Sequence, residues 1–182
     1  MKILLVVDVQ NDFVDGVLGS PEAQKAAKKI VELIADKRWD KVIATVDCHP
    51  PKPMPRTIEA DTVPPHCIAH SPGAALYAGI AEHVDHIIEK SNFSVDSADI
   101  WNYLQQTLED APDATIYDVE LFICGLCTDI CVISNALMLR SLFPYIKITV
   151  IDDACAGTTY KKHNAALDVM KSCLINIKYS FE

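Results

Sequence analysis

The chain has no uninterrupted apolar run near the ~20 residues that a bilayer-spanning helix needs, so no membrane partner is expected. It also has no block of basic residues. Its 16 Lys and Arg against 25 Asp and Glu give a formal charge of −9, which excludes nucleic acid and anionic membranes as natural partners. Lys25, Lys28 and Lys29 cluster, but beside Glu22 and Glu32, as on a solvated helix face. The apolar start Met1–Val7 is broken by Asp8 and Asp12 and has no cleavage pattern, so it does not read as a signal peptide. No repeat, low-complexity tract or domain break is visible, and one domain over residues 1–182 is expected. An odd number of cysteines (7) without a secretory signal predicts a reducing, cytoplasmic setting and no structural disulfides.

What is present is a hydrophobic share of 50%, arranged as alternating strands and helices. Ile3–Asp8 is nearly continuous apolar sequence, as in a strand buried on both faces. Pro21–Asp36 has helical spacing, with Ser20 as cap and Pro21 at the first helical position. Further strands are predicted at Lys41–Val46, His86–Ile88, Glu120–Cys124, Ile146–Ile151 and Leu174–Ile177. Further helices are predicted at Gly73–Glu82, Asp99–Leu108, Cys131–Ser141 and Lys161–Lys171. Repeated βα units imply an α/β fold with a mainly parallel sheet covered by helices on both faces. Asp99–Leu108 could pair subunits in a homo-oligomer or serve as core.

The most informative segment is Cys124-Gly125-Leu126-Cys127-Thr128-Asp129-Ile130-Cys131-Val132, a strand running into a helix. Thr128 or Asp129 can cap that helix. Cys131 then falls in or near the first turn, where unpaired amides and the helix dipole favour an anion and should lower the thiol pKa. This makes Cys131 a candidate nucleophile, against the alternative of a small packing residue.

Asp8 and Lys90 end the first and third strands, and in a parallel sheet such ends open into the crevice that holds the start of the Cys131 helix. Asp8 suits a general base, and Lys90 could hold it ionised or stabilise developing negative charge. The plain alternatives are a turn-capping aspartate and a solvated lysine. Between His49 and Pro72 lies a stretch with seven of the ten prolines (positions 50, 51, 53, 55, 64, 65 and 72), which reads as a shaped binding loop. Asp47, His49 and His66 flank or occupy it and form a donor set suited to zinc, iron or manganese. No organic cofactor is expected.

The runs Leu5–Phe13, Ala44–Pro50, Pro64-Pro65-His66-Cys67, Gly125–Val132 and Asp152–Gly157 together resemble the nicotinamidase/isochorismatase-like cysteine hydrolases. The likeness runs in order from about Ile3 to Leu174. It implies a three-layer α/β/α domain with an Asp–Lys–Cys triad, here Asp8, Lys90 and Cys131. It also implies a cis peptide at Leu126–Cys127 that aims the N–H groups of Cys127 and Cys131 at an oxyanion. Residues matching Asp47, His49 and His66 hold a divalent ion in nicotinamidase-like members, where it binds the substrate's pyridine nitrogen. Phe13 and Val63 then fall at substrate-binding positions. Three departures stand out: no histidine follows in residues 50–55, Cys48 stands between Asp47 and His49, and Val63 replaces an aromatic.

The implied chemistry is hydrolysis of a small carboxamide through a cysteine thioester, most concretely nicotinamide to nicotinate and ammonia. Alternatives are a carbamoyl, ureido or biuret-like substrate, or a non-catalytic small-molecule binder. The cysteines Cys124, Cys127 and Cys131 could instead form a thiolate metal or iron–sulfur site, or a redox switch. Cys48, Cys67, Cys155 and Cys173 carry no signal beyond packing.

Overall fold

The computed structural model describes residues 1–51 and 57–180. Prolines 53 and 55 of the predicted loop, and most of the segment lacking a histidine, lie outside the described residues.

Among the described residues, six parallel strands form one sheet: β1 (Lys2–Val7), β2 (Lys41–Asp47), β3 (His86–Lys90), β4 (Glu120–Leu126), β5 (Lys147–Ala156) and β6 (Asn176–Lys178). Their spatial order is β3-β2-β1-β4-β5-β6, and every pairing is parallel. The chain therefore winds outward from β1 in one direction to β3, then outward from β4 in the other. The crevice at the carboxyl ends of β1 and β4 is the topological switch point, where such sheets collect ligands. β1 is apolar throughout because it is sealed on both faces: Ile3 to Val7 are at most 1% exposed.

The helices are α1 (Asn11–Val14), α2 (Pro21–Ala35), α3 (Ile58–Thr62), α4 (Ser97–Glu109), α5 (Ile133–Leu142) and α6 (Tyr160–Ser172). α2 begins as the sequence predicts: Ser20 Oγ accepts from the Ala23 N–H at 3.0 Å and Pro21 occupies the first turn. Its buried stripe, Ala23, Ala26, Ala27, Ile30, Leu33 and Ile34, packs on β4 and β5. On the other helical side α5 packs between α4 and α6.

One expected helix is absent. Gly73–Glu82 contains only short 3-10 turns, at Pro72–Ala74 and Ala81–His83. Its backbone is taken by the loop after β1 instead: Asn11 N–H donates to Ala75 O at 3.0 Å, Tyr77 N–H donates to Val9 O at 2.8 Å, and Gln10 bridges Leu76. Gly79, at φ +88°, also interrupts helical geometry. Among the described residues no helix is long and apolar enough to cross a membrane.

Candidate active site and metal centre

Asp8 follows the last residue of β1 with φ +51°, a left-handed conformation that a non-glycine residue adopts at a cost of order 1–3 kcal/mol. Thr45 of β2 holds it there. The Asp8 N–H donates to Thr45 O at 3.1 Å, and the Thr45 hydroxyl donates to Asp8 Oδ1 at 2.6 Å. Asp8 is fully buried, yet its other oxygen, Oδ2, faces the Lys90 ammonium at 2.7 Å. That contact is an ion pair without an aligned hydrogen bond.

Lys90, the last residue of β3, is buried too. Burial alone would push its pKa down, but the charge of Asp8 and the neighbouring Cys131 and Asp47 win and push it up, so it stays an ammonium. Burial pushes the Asp8 carboxyl up, with Lys90 and the Thr45 hydroxyl opposing. Lys90 Nζ is also 3.8 Å from Cys131 Sγ, so one ammonium faces both the Asp8 carboxylate and the thiol. Three residues separated by 82 and 41 positions in sequence thus meet at the switch point.

The turn carrying Cys131 differs from the expected capped helix. Thr128–Val132 is a π-helical turn that runs on into α5, and neither Thr128 nor Asp129 caps it. The N–H groups of Ile130 and Val132 both donate to Cys127 O, at 3.0 and 3.1 Å. Thr128 instead bonds to His163 on α6, and Asp129 to Thr158 in the β5–α6 connection. The Leu126–Cys127 peptide is cis.

The thiol expectation also needs correcting. Burial and the adjacent Asp8 charge push the Cys131 pKa well up, with Lys90 only partly opposing. The helix-terminus argument fails because the site is buried and already holds a carboxylate. Cys127 is pushed up to about 12, chiefly by burial and then by Asp129 and Asp8. Thiols pushed up in this way, one buried and one partly buried, differ from a redox sensor, whose cysteine is a low-pKa accessible thiolate.

Asn135, fully buried on α5, was not legible in the sequence. Its amide donates to Cys131 O at 2.8 Å and to Phe93 O at 3.2 Å, and its carbonyl accepts from Val95 N–H at 3.1 Å. It ties the cysteine turn to the segment that follows Lys90.

The predicted donor set also converges. Asp47, His49 and His66 are joined by Glu59 of α3, and one donor atom from each lies within 4.8 Å of all the others. Among the described residues this is the one such cluster, and Cys124, Cys127 and Cys131 form none. Thr57 caps α3 through the Ala60 N–H at 3.1 Å, which sets Glu59 in the first turn. Gln10 clamps Asp47 from both sides, accepting from its N–H at 2.7 Å and donating to its carbonyl at 2.8 Å.

The chemistry of this cluster fits a cation. His66 Nδ1 donates to the Pro64 carbonyl at 2.9 Å, so a neutral ring presents a bare Nε2 lone pair to Asp47 Oδ2 at 3.3 Å. Two lone-pair groups so close require a positive charge between them, a proton or a metal ion. His49 Nε2 points at the same oxygen from 2.9 Å. Asp47 Oδ1 reaches Lys90 Nζ at 3.7 Å, so one carboxylate touches both clusters.

Phe13, 8% exposed, meets the His66 ring edge-on at 5.3 Å between centroids. Val63 is half-buried at the end of α3, three residues before His66, and its N–H donates to Glu59 O at 2.8 Å. All seven cysteines are free thiols.

The isochorismatase domain model matches residues 2–178. The chain belongs to the isochorismatase-domain family. Among its relatives, the nicotinamidase of Schizosaccharomyces pombe is 28% identical over 208 residues, covering 96% of this chain and 91% of that protein. The nicotinamidase of Escherichia coli is 28% identical, covering 91% and 87%. Of solved structures, a nicotinamidase from Bacillus subtilis superposes with a TM-score of 0.78 at 27% identity, covering 97% of this chain and 98% of that one. The pyrazinamidase of Pyrococcus horikoshii in complex with zinc gives 0.75 at 28%, covering 98% of each. These coverages extend the family's α/β fold over nearly the whole of this isochorismatase-family chain.

Proposed function

We propose that this chain is a cysteine-dependent amidohydrolase that converts nicotinamide to nicotinate and ammonia. The observation that carries the reading is the sealed contact of Asp8, Lys90 and Cys131 at the switch point, in a chain aligned end to end with nicotinamidases.

Because the thiol rests protonated, its proton must leave as the sulfur attacks. Asp8 is the acceptor: Lys90 contacts both it and the thiol, and the raised pKa of Asp8 makes it a better base than a solvent-exposed carboxylate. The S–C bond forms, the carbonyl π pair moves to oxygen, and the oxyanion is held by the N–H groups of Cys127 and Cys131. Protonated Asp8 gives its proton to the amide nitrogen, the C–N bond breaks and ammonia departs, leaving a thioester. Asp8 next takes a proton from water as its oxygen attacks the thioester carbon. Sulfur leaves, recovers the proton and the acid is released. Lys90 keeps Asp8 ionised between steps and offsets the negative charge that builds beside it.

Asp47, His49, Glu59 and His66 would hold a divalent ion, which when bound supplies a Lewis-acid anchor for the substrate's ring nitrogen. Zinc, as in the Pyrococcus horikoshii complex, suits two imidazoles and two carboxylates, and iron or manganese suit them as well. Phe13, packed on His66, and Val63, beside Glu59, are the apolar walls on that side.

Ammonia release from nicotinamide, pyrazinamide, a carbamoyl amino acid, a ureido acid and biuret tests the reading. Nicotinamide should have the highest kcat/KM. A preference for the ureido or biuret compounds would replace the substrate, and silence on every amide would leave a non-catalytic binder.

A further inference from the structure

Thr128 immediately follows Cys127 and is fully buried. Its Oγ1 lies 2.8 Å from His163 Nδ1 on α6, and His163 Nε2 lies 2.9 Å from Asp152 Oδ1 on β5. A carboxylate can only accept, so Nε2 carries the hydrogen. In the neutral ring Nδ1 is then the acceptor, and the Thr128 hydroxyl donates to it. The next side chain is tied to the same neighbouring segment: Asp129 accepts from the Thr158 N–H at 2.7 Å and its hydroxyl at 2.6 Å. Gly157 permits this approach, since a Cβ there would stand 2.8 Å from Asp129 Oδ1 and 2.9 Å from His163 Cβ.

We infer that Asp152, His163 and Thr128 form a positioning relay for the reaction proposed above, on which this inference rests. None of the three need touch substrate. The relay anchors the residue directly after Cys127, and so restrains the Cys127 backbone whose N–H, in the preceding Leu126–Cys127 peptide, receives the oxyanion. Such donors act only when held within a few tenths of an ångström of their working position, because a tetrahedral oxyanion lies where the planar carbonyl oxygen does not. The consequence is a contribution confined to the tetrahedral state.

The test compares Thr128→Val, Thr128→Ser and His163→Ala with wild type. The readouts are kcat and KM for nicotinamide, the affinity for pyridine-3-carbaldehyde, whose thiol adduct is tetrahedral, and the affinity for planar nicotinate. Thr128→Val and His163→Ala should lower kcat by about 10- to 100-fold with KM nearly unchanged. Aldehyde affinity should fall by the same factor, nicotinate affinity should hold, and Thr128→Ser should restore most of the loss. The inference is overturned by unchanged kcat, by equal losses of aldehyde and nicotinate affinity, by Thr128→Ser behaving like Thr128→Val, or by both disruptive variants failing to fold. Wild-type enzyme that releases no ammonia would instead overturn the amidase reading itself.

Discussion

Lys90 Nζ lies 2.7 Å from Asp8 Oδ2, and both side chains are almost wholly withdrawn from water. A buried pair of this kind is expensive to form and more expensive to break, because removing one partner strands the other charge.

Lys90→Met should therefore cost about 3–5 kcal/mol of stability, and Asp8 should then bind a proton near neutral pH. A protonated Asp8 cannot receive the thiol proton, so ammonia release should vanish along with the stability. Denaturant titration and the ammonia assay on the same preparation check both. The double variant Asp8→Asn with Lys90→Met should recover stability without recovering activity.

Much of this arrangement is legible in the sequence. Strands buried on both faces read as apolar runs, so β1 and its neighbours are visible, and their carboxyl ends point to Asp8 and Lys90. Gly73–Glu82 misleads because its backbone partners lie more than 60 residues upstream, at Val9 and Asn11. Cys131 is found by its motif, but its titration is not, since a local helix-end argument omits a carboxylate more than 100 residues away. Glu59, Asn135 and His163 act through partners met only after folding. The short capped helix after Thr57 is the one local sign that could have drawn attention to Glu59.

The Cys131 thiol provides a second test. With its pKa pushed up, the thiolate fraction should still be climbing where an ordinary cysteine, pKa about 8.5, has levelled off. Iodoacetamide inactivation, followed by mapping of the Cys131 peptide, should accelerate steadily through alkaline pH. A plateau on the acid side of that ordinary value would mean a resting thiolate.

The metal cluster has a pH signature in metal-free protein. Burial alone would raise Asp47, but the His66 hydrogen bond and the Lys90 charge lower it, so its contribution is present above about pH 3.9 and lost as pH falls through the lower folded value. Burial alone would lower His66, but Asp47 and the Pro64 carbonyl raise it, so its contribution is present below about pH 6.5 and lost as pH rises through the higher folded value. The Tm difference between wild type and His66→Asn, in chelator, should thus be larger near pH 5.5 than near pH 8.5. Excess zinc should reverse that order, because a ligating imidazole must be neutral.

Glu59→Gln should weaken zinc binding while leaving the fold intact, since Glu59 is partly exposed on a five-residue helix. Calorimetric titration of chelator-stripped protein reads this directly. Equal affinity in the variant would remove Glu59 from the site.

Gly125→Ala should fail to fold. Gly125 has φ +129°, and a Cβ there would lie 2.1 Å from the Val7 carbonyl oxygen, in the backbone of the strand that delivers Asp8. Soluble expression with wild-type circular dichroism would contradict the close approach of β1 and β4 at this point.

The most direct test follows nicotinamide turnover in wild type and in Cys131→Ala, with rapid acid quenching and mass spectrometry of the protein. Wild type should release ammonia and carry a nicotinoyl group on the Cys131 peptide, while a folded Cys131→Ala protein should do neither. Ammonia release by Cys131→Ala at the wild-type rate would contradict the account.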